Sequence, residues 1–318
     1  MPGLDLLELS VVVPVRNRID DLQTCLAALR AQTLDPSRFE ILVCDDGSEP
    51  PVSNPNRDED CSLPTIRVLR QPPRGPAAAR NLGIGHARAP VVVFIDSDTI
   101  PQPGCLSALL QALTHNPDAV GVEGAVVPPR SRLSPLEEAP SNERGEVFLT
   151  ANAAFRREAL LQVGGFDESF PYPACEDVDL ALALEPFGPI VWAPDVVVVH
   201  PLRRMTWRAA AWRVRYLDSL LSLAVRHGCL GWPNHPTRWP RLRIAIAALF
   251  TLPLGRVCDA ARFILRCPKD VLIRVAHSLG EAMLALVRLP RWLMHSSPVA
   301  RRSSLQAVTK VTRPAPGD

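Results

Sequence analysis

The chain has 318 residues, 47% of them hydrophobic and 21% charged, with a net charge of +2; this fits a globular protein and excludes a collagenous, low-complexity or disordered one. The near-neutral total conceals a division, because residues 1–202 hold 15 Lys and Arg against 28 Asp and Glu, while residues 203–318 hold 20 against 5. An acidic body therefore precedes a basic tail suited to an anionic partner, and with Lys269 as the first lysine the body has none for a P-loop, a Schiff base or a receiver-type switch.

Residues 9–14 (LSVVVP) predict a first strand, and 20–32 a helix with Leu22, Cys25, Leu26 and Leu29 on one face and Asp20 as its N-cap. Residues 39–44 (FEILVC) predict a second strand running into Asp45, Asp46, Gly47 and Ser48. A Pro-rich loop over 49–64, expected to be exposed and mobile, leads to a third strand at 65–69 and an Ala-rich helix at 75–87. The fourth strand, 90–95 (PVVVFI), has almost no polar residue, as expected of a strand covered on both faces, and it ends at Asp96, Ser97 and Asp98. A helix at 104–113, a strand at 119–127 and a Pro- and charge-rich loop over 128–146, suited to cover a site, come next. Residues 148–152 are expected as a strand, 154–164 as a helix, and 190–192 and 196–199 as short strands, the second ending at His200.

Beyond residue 205 the pattern turns helical and rich in Arg and Trp. The apolar run 244–254 is interrupted by Pro253 and falls short of the ~20 residues that span a bilayer. Over 270–288, Leu272, Val275, Leu279, Met283 and Leu286 share one helical face, with Arg274, His277, Ser278 and Glu281 elsewhere. Together with Trp207, Trp212, Trp232, Trp239, Trp292 and the arginine excess, this reads as an interfacial segment lying on an anionic membrane. The alternative is a helical subdomain that packs its apolar face on the body. No reader motif in the tail points to nucleic acid.

The eight cysteines form no CxxC pair and several lie in apolar runs, the pattern of buried thiols in a reducing compartment. Asp5 and Glu8 interrupt the early apolar stretch, so no signal peptide is read there; the expected location is the cytoplasm, with peripheral contact to the cytoplasmic face of a membrane. The expected organisation is an α/β domain over 1–218, a helical basic extension over 219–299 and a disordered tail over 300–318.

Alternating strands and helices predict a mostly parallel sheet covered on both sides, and such sheets bind ligands at the carboxyl ends of their strands. Acidic residues stand at two of those ends. Asp96 and Asp98, two hard oxygen donors beyond a buried strand, suit Mg²⁺ or Mn²⁺ bridging to phosphate oxygens, although a polar turn carries such a triplet by chance as well. Glu176 and Asp177 precede an apolar run (Leu180, Leu182, Leu184) and so sit at a helix N-terminus, where the dipole favours an ionised carboxylate. Plain capping by Asp177 or Asp179 is the other reading.

Taken together, residues 11–17 (VVVPVRN), Gln32-Thr33, 45–48 (DDGS), 75–83 (GPAAARNLG), 94–98 (FIDSD), 152–155 (NAAF), 164–167 (GGFD) and 176–180 (EDVDL) resemble an inverting family 2 glycosyltransferase with the GT-A fold, over residues 9 to about 218. The resemblance implies a nucleotide-sugar donor, UDP-linked above all, a divalent cation and a hydroxyl acceptor on a glycan, a lipid-linked chain or a small molecule. It implies that Pro14 and Arg16 line the nucleotide pocket, that Asp46 accepts from the base and that Arg80 contacts the diphosphate. Asp98 would ligate the metal, Asp96 would meet the ribose or the metal's water shell, and Asp177 would be the catalytic base. His200 would complete the metal site, while Glu176, Asp179, Arg213 and Arg215 would lie near the acceptor or the diphosphate. The Gln-x-x-Arg-Trp motif and spanning helices of polymerising relatives are missing, which argues against a processive synthase. A sugar-phosphate nucleotidyltransferase would carry a Gly-rich loop after the first strand, where this chain has PVRNR. A nonenzymatic sugar-nucleotide binder would be expected to lose Asp98 or Asp177.

Overall fold

The computed structural model describes residues 7–53, 63–170, 174–227 and 252–294. Four parallel strands, β1 (Leu9–Val15), β2 (Phe39–Asp45), β3 (Thr65–Arg70) and β4 (Val91–Ile95), make one half of a sheet, with Leu9 beside both Phe39 and Val91. Their alternating side chains fill two layers. Val11, Val13, Val93 and Ile95 meet Leu22, Leu26 and Leu29 of α1 (Ile19–Arg30) and Leu106 and Leu109 of α3 (Cys105–His115). Val12, Leu42, Val92 and Phe94 face Ala79 and Ile84 of α2 (Pro76–His86), Leu160 of α4 (Arg157–Val163) and Leu180 of α5 (Glu176–Leu184). Each such side chain removed from water contributes about 1.5–3 kcal/mol, which is why near-continuous Val/Ile/Leu runs settle at the centre of a two-sided sheet.

The other half is mixed. With β5 (Ile100–Pro101), β6 (Gly121–Val127), β8 (Asn152–Arg156) and β9 (Ile190–Val199), the strand order is β3-β2-β1-β4-β8-β6-β9-β5. β8 runs antiparallel between β4 and β6, and β9 runs parallel to β6 with a register shift between Gly124 and Ala125. The buried Asn152 amide donates to the carbonyls of Ala125 (2.9 Å) and Val196 (2.8 Å), spanning the shift. A Cβ at Gly124 would fall 2.3 Å from that amide nitrogen, so only glycine fits there.

Three local expectations change. The strand expected at 148–152 begins only at Asn152, because Glu146 and Phe148 adopt left-handed backbone (φ 66° and 55°). The buried Glu123 carboxylate accepts both of their N–H groups and fixes that turn. The two short strands near 190–199 are one irregular strand, β9. The covering loop 128–146 carries β7 (Glu137–Glu138), which pairs antiparallel with β10 (Arg203–Arg204). Residue 218, the expected end of the α/β domain, falls within α6 (Trp207–His227).

The C-terminal helices α7 (Leu252–Ala261) and α8 (Pro268–Met294) pack together, and α8 also packs on α6. The orientation of α8 reverses the soluble pattern. Arg274, His277, Ser278 and Glu281 are buried, whereas Leu272, Leu279, Met283 and Leu286 are exposed. The helix is therefore not seated on the body by its apolar face. Its inward residues make polar contacts: Arg274 donates to Glu138, Glu281 pairs with Arg256, Arg288 with Asp218, and the His277 ring meets Trp207 edge-on at 4.0 Å. No helix of the described residues is long and apolar enough to cross a membrane. Residues 54–62, most of the apolar run 244–254, Trp232, Trp239 and the tail 300–318 lie outside the described residues.

Candidate active site

The parallel strands deliver Val15, Asp45, Arg70 and Ile95 to one edge of the sheet, and the candidate residues follow immediately. Beyond β1, Asn17 is left-handed (φ 55°); its N–H donates to Ser48 Oγ (3.0 Å) and its side-chain oxygen accepts from Glu49 N–H (2.8 Å), stitching the first two loops together. Pro14 is half-buried at the end of β1. Arg16, Asn17, Gly47, Glu49, Arg70 and Gln71 line a cleft of about 540 Å³ between these loops.

Asp45 and Asp46 do different work from adjacent positions. Asp45 accepts from Ser48 N–H (2.7 Å) and Arg70 (2.5 Å), and these bonds lower its pKa in spite of desolvation, the largest influence on it. Asp46 accepts from the Gln71 amide and from the N–H groups of Arg74 and Gly75, each at 2.8 Å. Oδ1 thereby receives two donors, and Oδ2 receives one and keeps a lone-pair direction open. Asp46 thus shapes the 71–75 turn at the entrance to α2.

Asp98 and His200 meet because β5 crosses the sheet edge. After β4 the chain turns at 96–99 and pairs Ile100 with Val199, which sets Asp98 beside the residue following β9. His200 Nδ1–H donates to the Pro201 carbonyl (3.0 Å), since that oxygen can only accept, and in the neutral ring this leaves the Nε2 lone pair toward Asp98 Oδ1 at 3.8 Å. That separation is too long for a hydrogen bond. One oxygen and one imidazole nitrogen so placed suit a shared divalent cation, and the mixed donor set suits Mn²⁺. Among the described residues no group of three or more His, Cys, Asp or Glu is gathered around a common centre, so an ion here would complete its shell with ligand or water oxygens. The other Asp98 oxygen accepts from Arg18 (2.7 Å) and Arg203. Arg203 is disfavoured as a cation by desolvation first and by the nearby Arg18 second.

The second acidic group stands at the start of α5, where Cys175 (φ 72°) turns the chain into the helix. Arg80, buried on α2, donates to Asp96 (2.9 Å) and Glu176 (3.2 Å), with its guanidinium 5.5 Å from the Phe166 ring centre. Asp96 and Glu176 are thereby bridged by one cation. Asp177 accepts the Val178 N–H (2.9 Å), and its pKa is pushed up to about 7, by desolvation first and the Glu176 charge second. The dipole expected to keep this carboxylate ionised is outweighed. A carboxyl titrating near neutrality can hold or release a proton on demand.

Other candidates lie apart. Asp179 is buried beneath α6, accepting from Arg226 (3.1 Å) and His227 (2.8 Å), and so ties α6 to α5. Arg215 stacks over the Trp212 ring at 4.7 Å; the Arg213 side chain is outside the described ones. Two residues absent from the sequence candidates, Arg18 and Arg203, contact Asp98 directly. Arg18 closes the PVRNR run and Arg203 follows His200 by three, but neither carries a local signal beyond its charge.

Two relatives by sequence are named glycosyltransferases. Pre-mycofactocin glycosyltransferase of Mycobacterium tuberculosis is 33% identical over 239 residues, covering 69% of this chain and 48% of that protein. Glycosyltransferase AglE of Haloferax volcanii is 27% identical over 205 residues, 61% of this chain and 67% of that protein. The chain thus spans about half the length of the M. tuberculosis relative. Among solved structures, mannosyltransferase PcManGT of Pyrobaculum calidifontis, in complex with GDP-Man and Mn²⁺, superimposes with a TM-score of 0.54 at 18% identity, over 89% of this chain and 87% of that one. Residues 1–349 of S. aureus TarS in complex with UDP-GlcNAc give 0.51 at 18% identity, over 90% and 84%. These likenesses establish a GT-A-type fold, and residues 10–164 match Glycosyl transferase family 2.

Proposed function

We propose that the protein transfers a sugar from a nucleoside diphosphate donor, UDP-linked in the first instance, to an acceptor hydroxyl with inversion. The observation that carries this reading is the pairing of two unlike acidic clusters along one sheet edge. Asp98 faces His200 and two guanidiniums, whereas Asp177 stands beside another carboxylate and titrates near 7. The first suits the anionic leaving group and the second suits the proton of the nucleophile.

In this mechanism the base and ribose lie in the cleft lined by Arg16, Asn17 and Gln71, against Pro14, with the open lone pair of Asp46 toward the base. Asp98 and His200 would hold Mg²⁺ or Mn²⁺, which supplies positive charge to the departing diphosphate. Arg18 and Arg203 turn from Asp98 to the diphosphate oxygens, and Asp96 stays fixed by Arg80 near the ribose. The Asp177 carboxylate takes the acceptor's hydroxyl proton as its oxygen bonds to the anomeric carbon; the carbon–oxygen bond to the diphosphate breaks, and the nucleoside diphosphate leaves with that electron pair. Glu176, held by Arg80, keeps Asp177 basic enough to accept that proton. The acceptor is a hydroxyl compound, a glycan or a lipid-linked chain, and residues 1–218 form the catalytic unit.

A thermal-shift screen of nucleotide sugars with and without Mn²⁺ tests the reading. Stabilisation by a UDP-sugar that needs Mn²⁺ and disappears in Asp98→Ala is expected, with release of UDP on adding acceptor. No stabilisation by any nucleotide sugar would sink it.

A further inference from the structure

A helix of a water-soluble surface hides its apolar stripe, and α8 does the opposite. Its inward face is held by the contacts of Arg274, Glu281 and Arg288 to Glu138, Arg256 and Asp218, and Ser134 Oγ donates to Asp270 at 2.6 Å. Its outward face presents Leu272, Leu279, Met283 and Leu286, positions that succeed one another along one side of the helix. The stripe continues into the turn between α7 and α8, where Ile264 is 55% and Leu265 96% exposed. Among the described residues no apolar surface accounts for that orientation; a second apolar phase does.

Charge identifies that phase. The acidic residues Asp218, Asp259, Asp270 and Glu281 of the C-terminal segment all engage arginines: Arg288, Arg132, Arg204 and Arg256. Arg262, Arg266 and Lys269 stand exposed around the Ile264–Leu265 tip. Only Arg262 among these three has an ion pair among the described residues, a solvent-exposed one with Asp259 at 3.8 Å. An apolar stripe bordered by exposed cations is complementary to a bilayer surface with anionic headgroups: the aliphatic side chains enter the acyl boundary and the cations meet the phosphates. A second copy of this chain would bring the same cations together, which disfavours self-association through this face.

We propose that the outward face of α8 and the α7–α8 turn dock the protein flat on an anionic lipid bilayer. This goes beyond the transfer reaction and stands whatever the reaction is. The docked face is linked to the site, because Arg274 of α8 donates to Glu138, Glu138 pairs in register with Arg203, and Arg203 donates to Asp98.

The test is co-sedimentation of the full chain with phosphatidylcholine vesicles, with and without phosphatidylglycerol. Binding to the anionic vesicles alone is expected, weakening with salt, together with slowed amide exchange in α8 and the preceding turn. The variant Leu265→Ser/Leu272→Ser/Leu279→Ser/Met283→Ser alters only outward side chains and should bind at least about tenfold more weakly while melting as the parent does. Arg262→Glu/Arg266→Glu should lose the preference for anionic lipid. Absence of binding by the parent, unaltered binding by the serine variant, or a parent dimer that the serine variant dissolves would each overturn the proposal. If the serine variant fails to fold, the exchange pattern of the parent decides: protection confined to other elements overturns it.

Discussion

Two acidic clusters on one sheet edge use the same side chains to opposite ends. Asp98 is over-supplied with cations, having two guanidiniums on one oxygen, while the other faces the His200 ring. Glu176 and Asp177 are under-supplied: Arg80 is shared between Glu176 and Asp96, and Asp177 accepts the backbone N–H of its own neighbour Val178. The lesson is that a carboxylate's role here follows its partners. An over-supplied acid attracts phosphate with its escort of cations, and an under-supplied one holds a proton to near neutrality.

The largest effect expected is on the under-supplied side. Asp177→Asn should lower turnover by roughly 10²–10⁴-fold while leaving nucleotide affinity unchanged, measured by single-turnover kinetics and calorimetry. Parent-like turnover would erase the contrast. Next, Arg80→Met removes the cation shared by Asp96 and Glu176 and should cost roughly 3–5 kcal/mol in urea unfolding, because it leaves buried charge uncompensated. It should also move the Asp177 titration upward, since Arg80 is one of the influences lowering it. On the over-supplied side, His200→Ala should weaken Mn²⁺-dependent nucleotide binding by about tenfold or more, with metal-free binding unaffected.

The remaining comparison is stability against pH. The folded Asp177 keeps its proton to about 7, whereas the unfolded one releases it near 3.8. Between those values the folded state binds the extra proton, so this contribution is complete below 3.8 and is lost as pH rises through about 7. Turnover should do the reverse and rise through about pH 7 as the base ionises. Asp177→Asn should therefore flatten the stability profile and gain most over the parent above pH 7, as read by thermal melts across the series. An unchanged profile would place the proton elsewhere.

Much of this is legible in the sequence. Buried strands such as 91–95 carry uninterrupted apolar runs, so their ends, and the acids placed there, follow from local pattern. The meeting of Asp98 with His200 is expected from the family resemblance and not from local pattern, because it depends on the two-residue strand β5 folding back onto β9 far along the chain. Glu123 reads as a polar interruption of a strand, and its purpose appears only with the left-handed turn it gathers. At Asp177 the dipole is a local cue but burial is a tertiary one, and burial prevails. For α8 periodicity separates two faces without saying which turns inward, since the partners that decide it, Glu138, Asp218 and Arg256, belong to other elements.

The short ribbon of β7 and β10 has a consequence for how the chain can be cut or strained. One of its strands is gripped by the outermost helix and the other supplies a guanidinium to Asp98, so the ribbon works as a tie-rod between periphery and catalytic edge. Removing the C-terminal helices would slacken that rod and let Arg203 drift, changing how readily Asp98 gives up its resident cations to an incoming diphosphate. A shortened protein would then differ from the whole in kinetics even with every cleft residue retained.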